Sequence, residues 1–322
     1  MWTCIARAIG FFLCCVGFAQ AADSAYPTRP VRMVVGFAPG GGADASARIV
    51  APKLTELTGQ NWIVDNRTGA GGNIATEIVV RAAPDGYTVL SALDSQLTAN
   101  PSLYHLPFDV QKDLQPVIIL TVTDQIIVVH PSVPAKTFTE FVNLAKQKPG
   151  QFRYGSGGVG SSNHLAGELL KKVVGIDIVH VPYKGAGPSI AAILGGEIQM
   201  NISSPASTVG HITAGKLRAL ARTGIQRRKL LPDLPTVAES GYPGFDAPQW
   251  YGLVVPRATP KHIVDSIRAA AIKAINSPEV QATMDKLGFE ADITSQAELI
   301  ARVKKESATW AGVIKEAGIK LQ

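Results

Sequence analysis

Two stretches of this sequence collect backbone donors where an anion could use them. The first is Val34-Val35-Gly36-Phe37-Ala38-Pro39-Gly40-Gly41-Gly42-Ala43-Asp44. A β-branched run ends in glycines and then opens a helical pattern through Arg48, Ile49, Lys53, Leu54 and Leu57, which reads as strand, turn and helix. Glycine lets the backbone turn tightly and present its N–H groups without a side chain in the way. The first turn of the helix that follows adds unpaired N–H groups and partial positive charge. Together they suit a phosphate or a carboxylate, the alternative being a tight turn that holds no ligand.

The second stretch repeats the arrangement. Phe152-Arg153-Tyr154-Gly155-Ser156-Gly157-Gly158-Val159-Gly160-Ser161-Ser162-Asn163-His164-Leu165 leads from a short strand through glycines into a helix. Leu165, Leu169, Leu170, Val173 and Val174 give that helix its apolar face, and Gly175 ends it. Ser161, Ser162 or Asn163 can cap its start. Two such loops about a hundred residues apart imply two lobes facing one cleft. A third cluster, Gly69-Ala70-Gly71-Gly72-Asn73, reads as a sharp turn opening a helix through about Ala82, the alternative being another cleft loop.

Other chemistry has little to stand on. Gly155 to Gly160 matches G-x-G-x-x-G, but an acid at the end of the next strand is missing, since Asp177 stands at its beginning. The sequence has no G-x-x-x-x-G-K-[ST], no G-x-S-x-G and no H-E-x-x-H among its six histidines. His164 alone falls in a proposed loop, where it reads as a helix-start residue donating a hydrogen bond. No cofactor, metal or catalytic set is expected.

The elements that must position the loops alternate. Strands are expected at Val31–Phe37, Trp62–Asp65 and Tyr87–Ala92, with helices at Asp44–Thr58 (Pro52 a possible kink) and after Gly69. That order implies a parallel, doubly wound α/β sheet with flanking helices, which binds ligands at the carboxyl ends of its strands. By that rule Ser91-Ala92-Leu93-Asp94-Ser95-Gln96 reaches the cleft, and Asp94 and Ser95 are candidates for reading the far end of a ligand. Val117–His130 is too long for one strand and reads as a crossing between lobes, interrupted at Thr123-Asp124-Gln125. Helix Thr137–Lys148, strand Ile176–Pro182, helix Gly187–Leu194 and strands Glu197–Ile202 and Leu217–Thr223 follow. Pro232 to Pro248 reads as irregular, Tyr251–Val255 as a strand near the crossing, and Pro260–Asn276, Pro278–Leu287 and Gln296–Ala317 as helices. The expected division is a leader at 1–21, a first lobe at 22–124, a second at 125–224, and a return to the first lobe with helices packing across both at 225–322.

The N-terminus reads as a secretory signal: Arg7, an apolar run Ile9–Phe18 too short to span a bilayer comfortably, and Ala19-Gln20-Ala21 as the cleavage site. Leu13 and Cys14 precede Cys14 and Cys15 where a lipoprotein signal has a small residue. Cleavage after Ala21 would leave 301 of 322 residues and remove all three cysteines, Cys4, Cys14 and Cys15. The expected product is soluble, without disulfides or thiolate chemistry, and its 46% hydrophobic residues supply a core of its own. Loss of Arg7 lowers the net charge from +6 to +5, and Arg227-Arg228-Lys229 is the only dense basic cluster. Nothing there suits nucleic acid.

In order along the chain, Tyr26-Pro27 with Pro30-Val31, Phe37 to Asp44, Gly69 to Asn73, Pro84-Asp85-Gly86-Tyr87-Thr88, Asn100-Pro101 with Leu103-Tyr104, Ser156 to Ala166, Val181-Pro182-Tyr183-Lys184-Gly185, Leu234 to Glu239, Trp250-Tyr251-Gly252 and Thr259-Pro260 form a set. Each motif is loose, but the ordered set resembles the substrate-binding receptors of tripartite tricarboxylate transporters, the Bug receptors. The resemblance implies a periplasmic, two-lobed Venus flytrap fold, each lobe a doubly wound, mostly parallel sheet with flanking helices. It implies a monomer that captures a small organic acid and presents it to membrane transporter subunits. Carried onto this chain, Phe37, Ala38, Pro39, Gly40, Gly41, Gly42 and Asp44 of one lobe and Ser156, Gly157, Gly158, Gly160, Ser161, Ser162 and His164 of the other hold the carboxylate through backbone N–H groups and bridging waters. Asp44 is expected to cap its helix rather than meet the anion.

Two positions depart from the family pattern: Ala192 stands where an acid is frequent, and Ser203 stands near the place of another. Without those acids an ammonium group lacks a counter-charge, which points toward a mono- or dicarboxylate or an aromatic acid. The competing readings are a sensor subunit of a signalling system and an exported hydrolase.

Overall fold

The computed structural model describes residues 26–319. The expected signal segment, its cleavage site and the three cysteines lie outside them. Three β/α steps begin the chain: β1 (Val31–Val35), α1 (Gly42–Thr58), β2 (Trp62–Asn66), α2 (Asn73–Val80) and β3 (Thr88–Leu93). Short helices α3 (Asp94–Thr98), α4 (Asn100–Leu103) and α5 (Val110–Asp113) lead to β4 (Leu114–Thr123). Next come β5 (Ile126–Val129), α6 (Phe138–Gln147), β6 (Arg153–Ser156), α7 (Ser162–Val174), β7 (Val179–Pro182), α8 (Ala186–Leu194), β8 (Met200–Ser203), α9 (Pro205–Thr213) and β9 (Arg218–Arg222). The chain closes with β10 (Gln249–Pro256), α10 (Lys261–Ile275), α11 (Pro278–Leu287) and α12 (Gln296–Ala317).

Two five-stranded sheets result, ordered β2-β1-β3-β10-β4 and β7-β6-β8-β5-β9. In the first, β1 pairs parallel with β2 and β3, while β10 lies antiparallel between β3 and β4. In the second, β6 pairs parallel with β7 and β8, and β5 lies antiparallel between β8 and β9. Each sheet is thus mixed, its one reversed strand being the one that follows a crossing from the other sheet. This gives the two-lobed α/β architecture, with a topological switch point in each lobe.

The interruption at Thr123-Asp124-Gln125 separates β4 in one sheet from β5 in the other. The return crossing precedes β10, where Ala247 N donates to Thr223 O at 2.9 Å. The separate cores follow the sheets. Met33, Val50, Leu54, Leu253 and Ile267 pack in the first lobe, and Phe138, Phe141, Tyr154, Leu170 and Ile202 in the second.

Local chemistry explains most element ends. Thr137 caps α6 by accepting from Glu140 N, and Gly175 ends α7 in the left-handed conformation. Helix α1 runs through Pro52 to Thr58, burying Ala43, Ala47, Val50, Ala51 and Leu54 at helical spacing. The helix expected to open from the Gly69–Asn73 cluster starts at Asn73, after a single 3₁₀ turn at Ala70–Gly72, and ends at Val80, a little before the expected Ala82. Helices α3, α4, α5 and α9 are absent from the sequence-based expectation: the first three are too short to show a period, and α9 buries Pro205, Ser207 and Thr208 rather than an apolar stripe.

Candidate functional site

Both Gly-rich loops leave the carboxyl ends of strands, β1 and β6, and enter helices that face each other across the cleft. Helix α1 starts two residues earlier than expected, at Gly42, with Gly41 as N-cap and no side-chain capping bond. The N–H groups of Gly42, Ala43 and Asp44 therefore lack partners among the described residues. This displaces Asp44 from the cap role. From the third helical position its Oδ2 accepts from Gly40 N at 3.2 Å, and its Oδ1 accepts from Arg48 Nε at 2.9 Å and Asn66 Nδ2 at 3.0 Å. Asp44 fastens the loop and is neutralised by Arg48.

The second loop is braced by side chains beneath it. Ser156 Oγ accepts from Gly158 N at 3.1 Å and lies 2.6 Å from His180 Nε2. Ser161 caps α7 and donates to Gly158 O at 2.7 Å. His164 Nδ1 accepts from Gly160 N at 3.2 Å, so the histidine is an acceptor rather than the expected donor, and its own proton sits on Nε2. The His164 and His180 rings stack at 4.1 Å, and the Tyr154 ring lies 4.9 Å from His180. Burial pushes His164 down to about 4 and His180 to about 3, the latter aided by its histidine neighbour. Both are neutral at pH 7 and suit an uncharged stack. The amides of Gly158 and Gly160 are thus engaged within the loop, whereas those of Gly157, Ser162 and Asn163 have no partner among the described residues.

The two lobes touch. Ala38 N donates to Lys184 O at 3.0 Å, Tyr104 Oη to Val159 O at 2.7 Å, and Ser162 Oγ to Asp94 Oδ1. Between the helix starts lies a cavity of about 20 Å³, lined among others by Gly42, Gly157, Asn163, Ser204, Gln249 and Tyr251. That holds about one water, so a ligand with several carbons enters when the lobes part, and side chains lining the cavity shift to make room as the two loops close on it. No lysine or arginine lines it. Larger hollows, such as one of about 220 Å³ under Leu97, Leu114 and Val303, lie away from both loops.

The proposed residues divide into groups. Phe37, Gly41, Gly42 and Gly157 line the cavity. Ala38, Pro39 and Gly40 form the first lobe's contact with Lys184, Gly185 and Gly187. Ser156, Gly158, Gly160, Ser161 and His164 shape the second loop from behind, and Ser162 spans the lobes to Asp94. Asp94 is buried, its carboxyl pushed up to about 7 by burial and by nearby Glu306, against the hydrogen bonds from Ser162, Ser95 and Trp250. Ser95 is also buried, its Oγ unpartnered among the described residues. Ser203 Oγ donates to Asn201 Oδ1 at 2.6 Å, and it is Ser204 that lines the cavity. The third glycine cluster is more than a turn: Gly71 approaches Val159 O of the second loop closely, and Gly72 O accepts from Gln96 Nε2 at 2.9 Å.

Sequence reasoning missed Ser204, Gln249 and Tyr251, and took Asn163 as part of the second loop and a possible cap without giving its side chain a role. Tyr251 Oη donates to Gln249 Oε1 at 2.7 Å, leaving the Gln249 amide nitrogen as a donor. Burial and Asp94 hold the Tyr251 hydroxyl protonated. The one signal for these residues was Trp250-Tyr251-Gly252, an ordered motif with no chemistry attached. Among the described residues no three metal-ligating side chains gather, and no helix is long and apolar enough to cross a membrane.

Residues 46–319 match the family described as Tripartite tricarboxylate transporter family receptor. Protein BugT of Bordetella pertussis is 34% identical over 318 residues, 98% of this chain and 97% of its own. The structure resembles that of Rpa4515 from R. palustris with adipate, at 34% identity and a TM-score of 0.88, covering 92% of this chain and 99% of that one. It also resembles MatC (Rpa3494) from Rhodopseudomonas palustris with bound malate, at 30% identity and a TM-score of 0.85, covering 90% and 100%.

Proposed function

Because this chain belongs to the tripartite tricarboxylate transporter receptor family, we propose that it captures a small organic carboxylate between its lobes. In this reading it works as a monomer in the periplasm, leaves the ligand chemically unchanged and hands it to a membrane transporter. The observation that carries the reading is the convergence of two helix starts on one cavity. The free amides of Gly42, Ala43 and Asp44 come from one lobe and those of Gly157, Ser162 and Asn163 from the other. Hydrogen bonds to a charged group are worth about 1.5–3 kcal/mol each. Four or five, less the cost of ordering ligand and lobes, give about micromolar affinity, near −8 kcal/mol. The ligand joins donors from both lobes, so its binding favours the closed arrangement. Adipate on Rpa4515 and malate on MatC support a carboxylate as the ligand class.

The test is a thermal-shift screen of refolded protein against small carboxylic acids, with their neutral amides as controls. A micromolar ligand at millimolar concentration adds roughly 4 kcal/mol of stability. A shift with an acid and none with its amide supports the reading; no shift with any acid overturns it.

A further inference from the structure

Much of the polar lining of the cavity is donor: the backbone amides of the two helix starts and the Gln249 amide nitrogen. The Ser204 and Tyr251 hydroxyls also line it and are engaged with each other and with Gln249. The acceptor left without a partner is Asn163 Oδ1. Asn163 Nδ2 donates to Gln125 Oε1 at 2.8 Å and to Ile202 O at 2.9 Å. Gln125 is held in turn, its Nε2 donating to Ser162 O at 3.4 Å. Flipping the Asn163 amide would set oxygen against two acceptors, so the network fixes which atom faces the cavity. Oδ1 accepts from none of the described residues, although Asn163 is only 6% exposed. It stands 3.4 Å from the position of a Cβ on Gly157, beside the Gly157 amide and on the residue whose own amide is free.

An unpartnered amide oxygen set beside donors for a carboxylate matches a ligand with a proton donor on the carbon next to its carboxylate. A hydroxyl is completed by one neutral acceptor. An ammonium carries a full charge, and no acidic side chain lines the cavity; the nearby Asp94 carboxyl is turned to Ser162, Ser95 and Trp250. We propose that Asn163 Oδ1 reads a ligand hydroxyl, making the cleft selective for 2-hydroxycarboxylates over the same acids without that hydroxyl. The proposal rests on the carboxylate-receptor reading and names its substrate class. The discrimination arises because the unhydroxylated acid leaves Oδ1 buried and unpaired.

The experiment is calorimetric titration of the purified protein and of Asn163→Leu with two matched pairs, malate with succinate and 2-hydroxyadipate with adipate, and with aspartate. The wild type binds the hydroxy acid of at least one pair about tenfold or more tighter than its partner and tighter than aspartate. In Asn163→Leu that ratio collapses toward one through loss of hydroxy-acid affinity. Should Asn163→Leu fail to fold, Gln125→Leu, which frees the Asn163 amide to rotate, lowers the same ratio while keeping affinity for the plain acid. Equal wild-type affinity within both pairs, an unchanged ratio in the folded variant, or preference for aspartate or for acids outside both pairs overturns the hydroxyl assignment alone. Failure of every carboxylic acid to bind overturns the carboxylate reading with it.

Discussion

Replacing Gly187 by alanine separates closure of the lobes from their folding. Gly187 lies in the first turn of α8, with no left-handed backbone requirement. Alanine there favours the helix by about 0.5–1 kcal/mol. A Cβ at this position would nevertheless lie 2.4 Å from Pro39 O, a backbone atom of the opposite lobe, with Gly40 Cα 3.9 Å away. No flexible side chain can give way, so the lobes must stay apart by about a further 1 Å or deform. Overpacking of this kind costs about 1–3 kcal/mol, which falls on the closed form alone. The expected result is an unliganded protein as stable as wild type or slightly more so, with carboxylate affinity reduced about 5- to 150-fold, since each 1.4 kcal/mol is about tenfold. Thermal melts without ligand and calorimetric titration with it measure the two effects separately. Gly210→Ala in α9, where a Cβ meets nothing within 4 Å, is the control and should leave affinity unchanged. Wild-type affinity in Gly187→Ala would refute the argument that ligand binding requires this closed contact.

Three further outcomes follow from buried charge. The Asp94 carboxyl, pushed up to about 7 by burial, binds its proton more tightly folded than unfolded, so wild-type stability declines as pH rises from about 4 to about 7. Asp94→Asn removes that decline, and denaturant titrations at pH 5 and pH 8 should show the variant gaining on wild type at the higher pH. His164 and His180 are pushed the other way, to about 4 and about 3. The unfolded chain takes up their protons below about pH 6.5, and stability is lost as pH falls through the folded values. His180→Phe keeps a ring against Tyr154 and His164 but cannot titrate, so its acid denaturation profile should be shallower, with about 1 kcal/mol lost at pH 7 for the bond to Ser156. At the crossing, Arg222 and Asp124 form a wholly buried pair at 3.1 Å. Arg222→Met should cost about 3–5 kcal/mol in denaturant titration by stranding the Asp124 carboxylate, and Asp124→Asn in the same chain should restore most of it.

The periodicities of the sequence carry the two β/α lobes, the break at Thr123-Asp124-Gln125 and the three C-terminal helices, because strand and helix patterns are local and repeat along the chain. They also reveal both Gly-rich loops, since glycines between an apolar strand and an amphipathic helix leave few other conformations. The short helices α3, α4 and α5 escape, having too few residues to show a period, and α9 escapes because it buries Pro205, Ser207 and Thr208 in place of an apolar face. The loop chemistry was legible only by residue type. Which amides stay free depended on where α1 begins and on which neighbours Ser156 and His164 accept from, facts set by packing against Arg48, Asn66 and His180. Sequence alone thus determined that two donor-rich loops face one cleft. Tertiary structure alone decided that β10 returns Gln249 and Tyr251 to it, that Ser204 lines the cavity, and that Gln125 and Ile202 turn Asn163 to offer an acceptor. The two hydrogen bonds of the Asn163 amide alone join residues 38 and 39 positions apart, and partners at such separations are fixed by the closed fold rather than by local order.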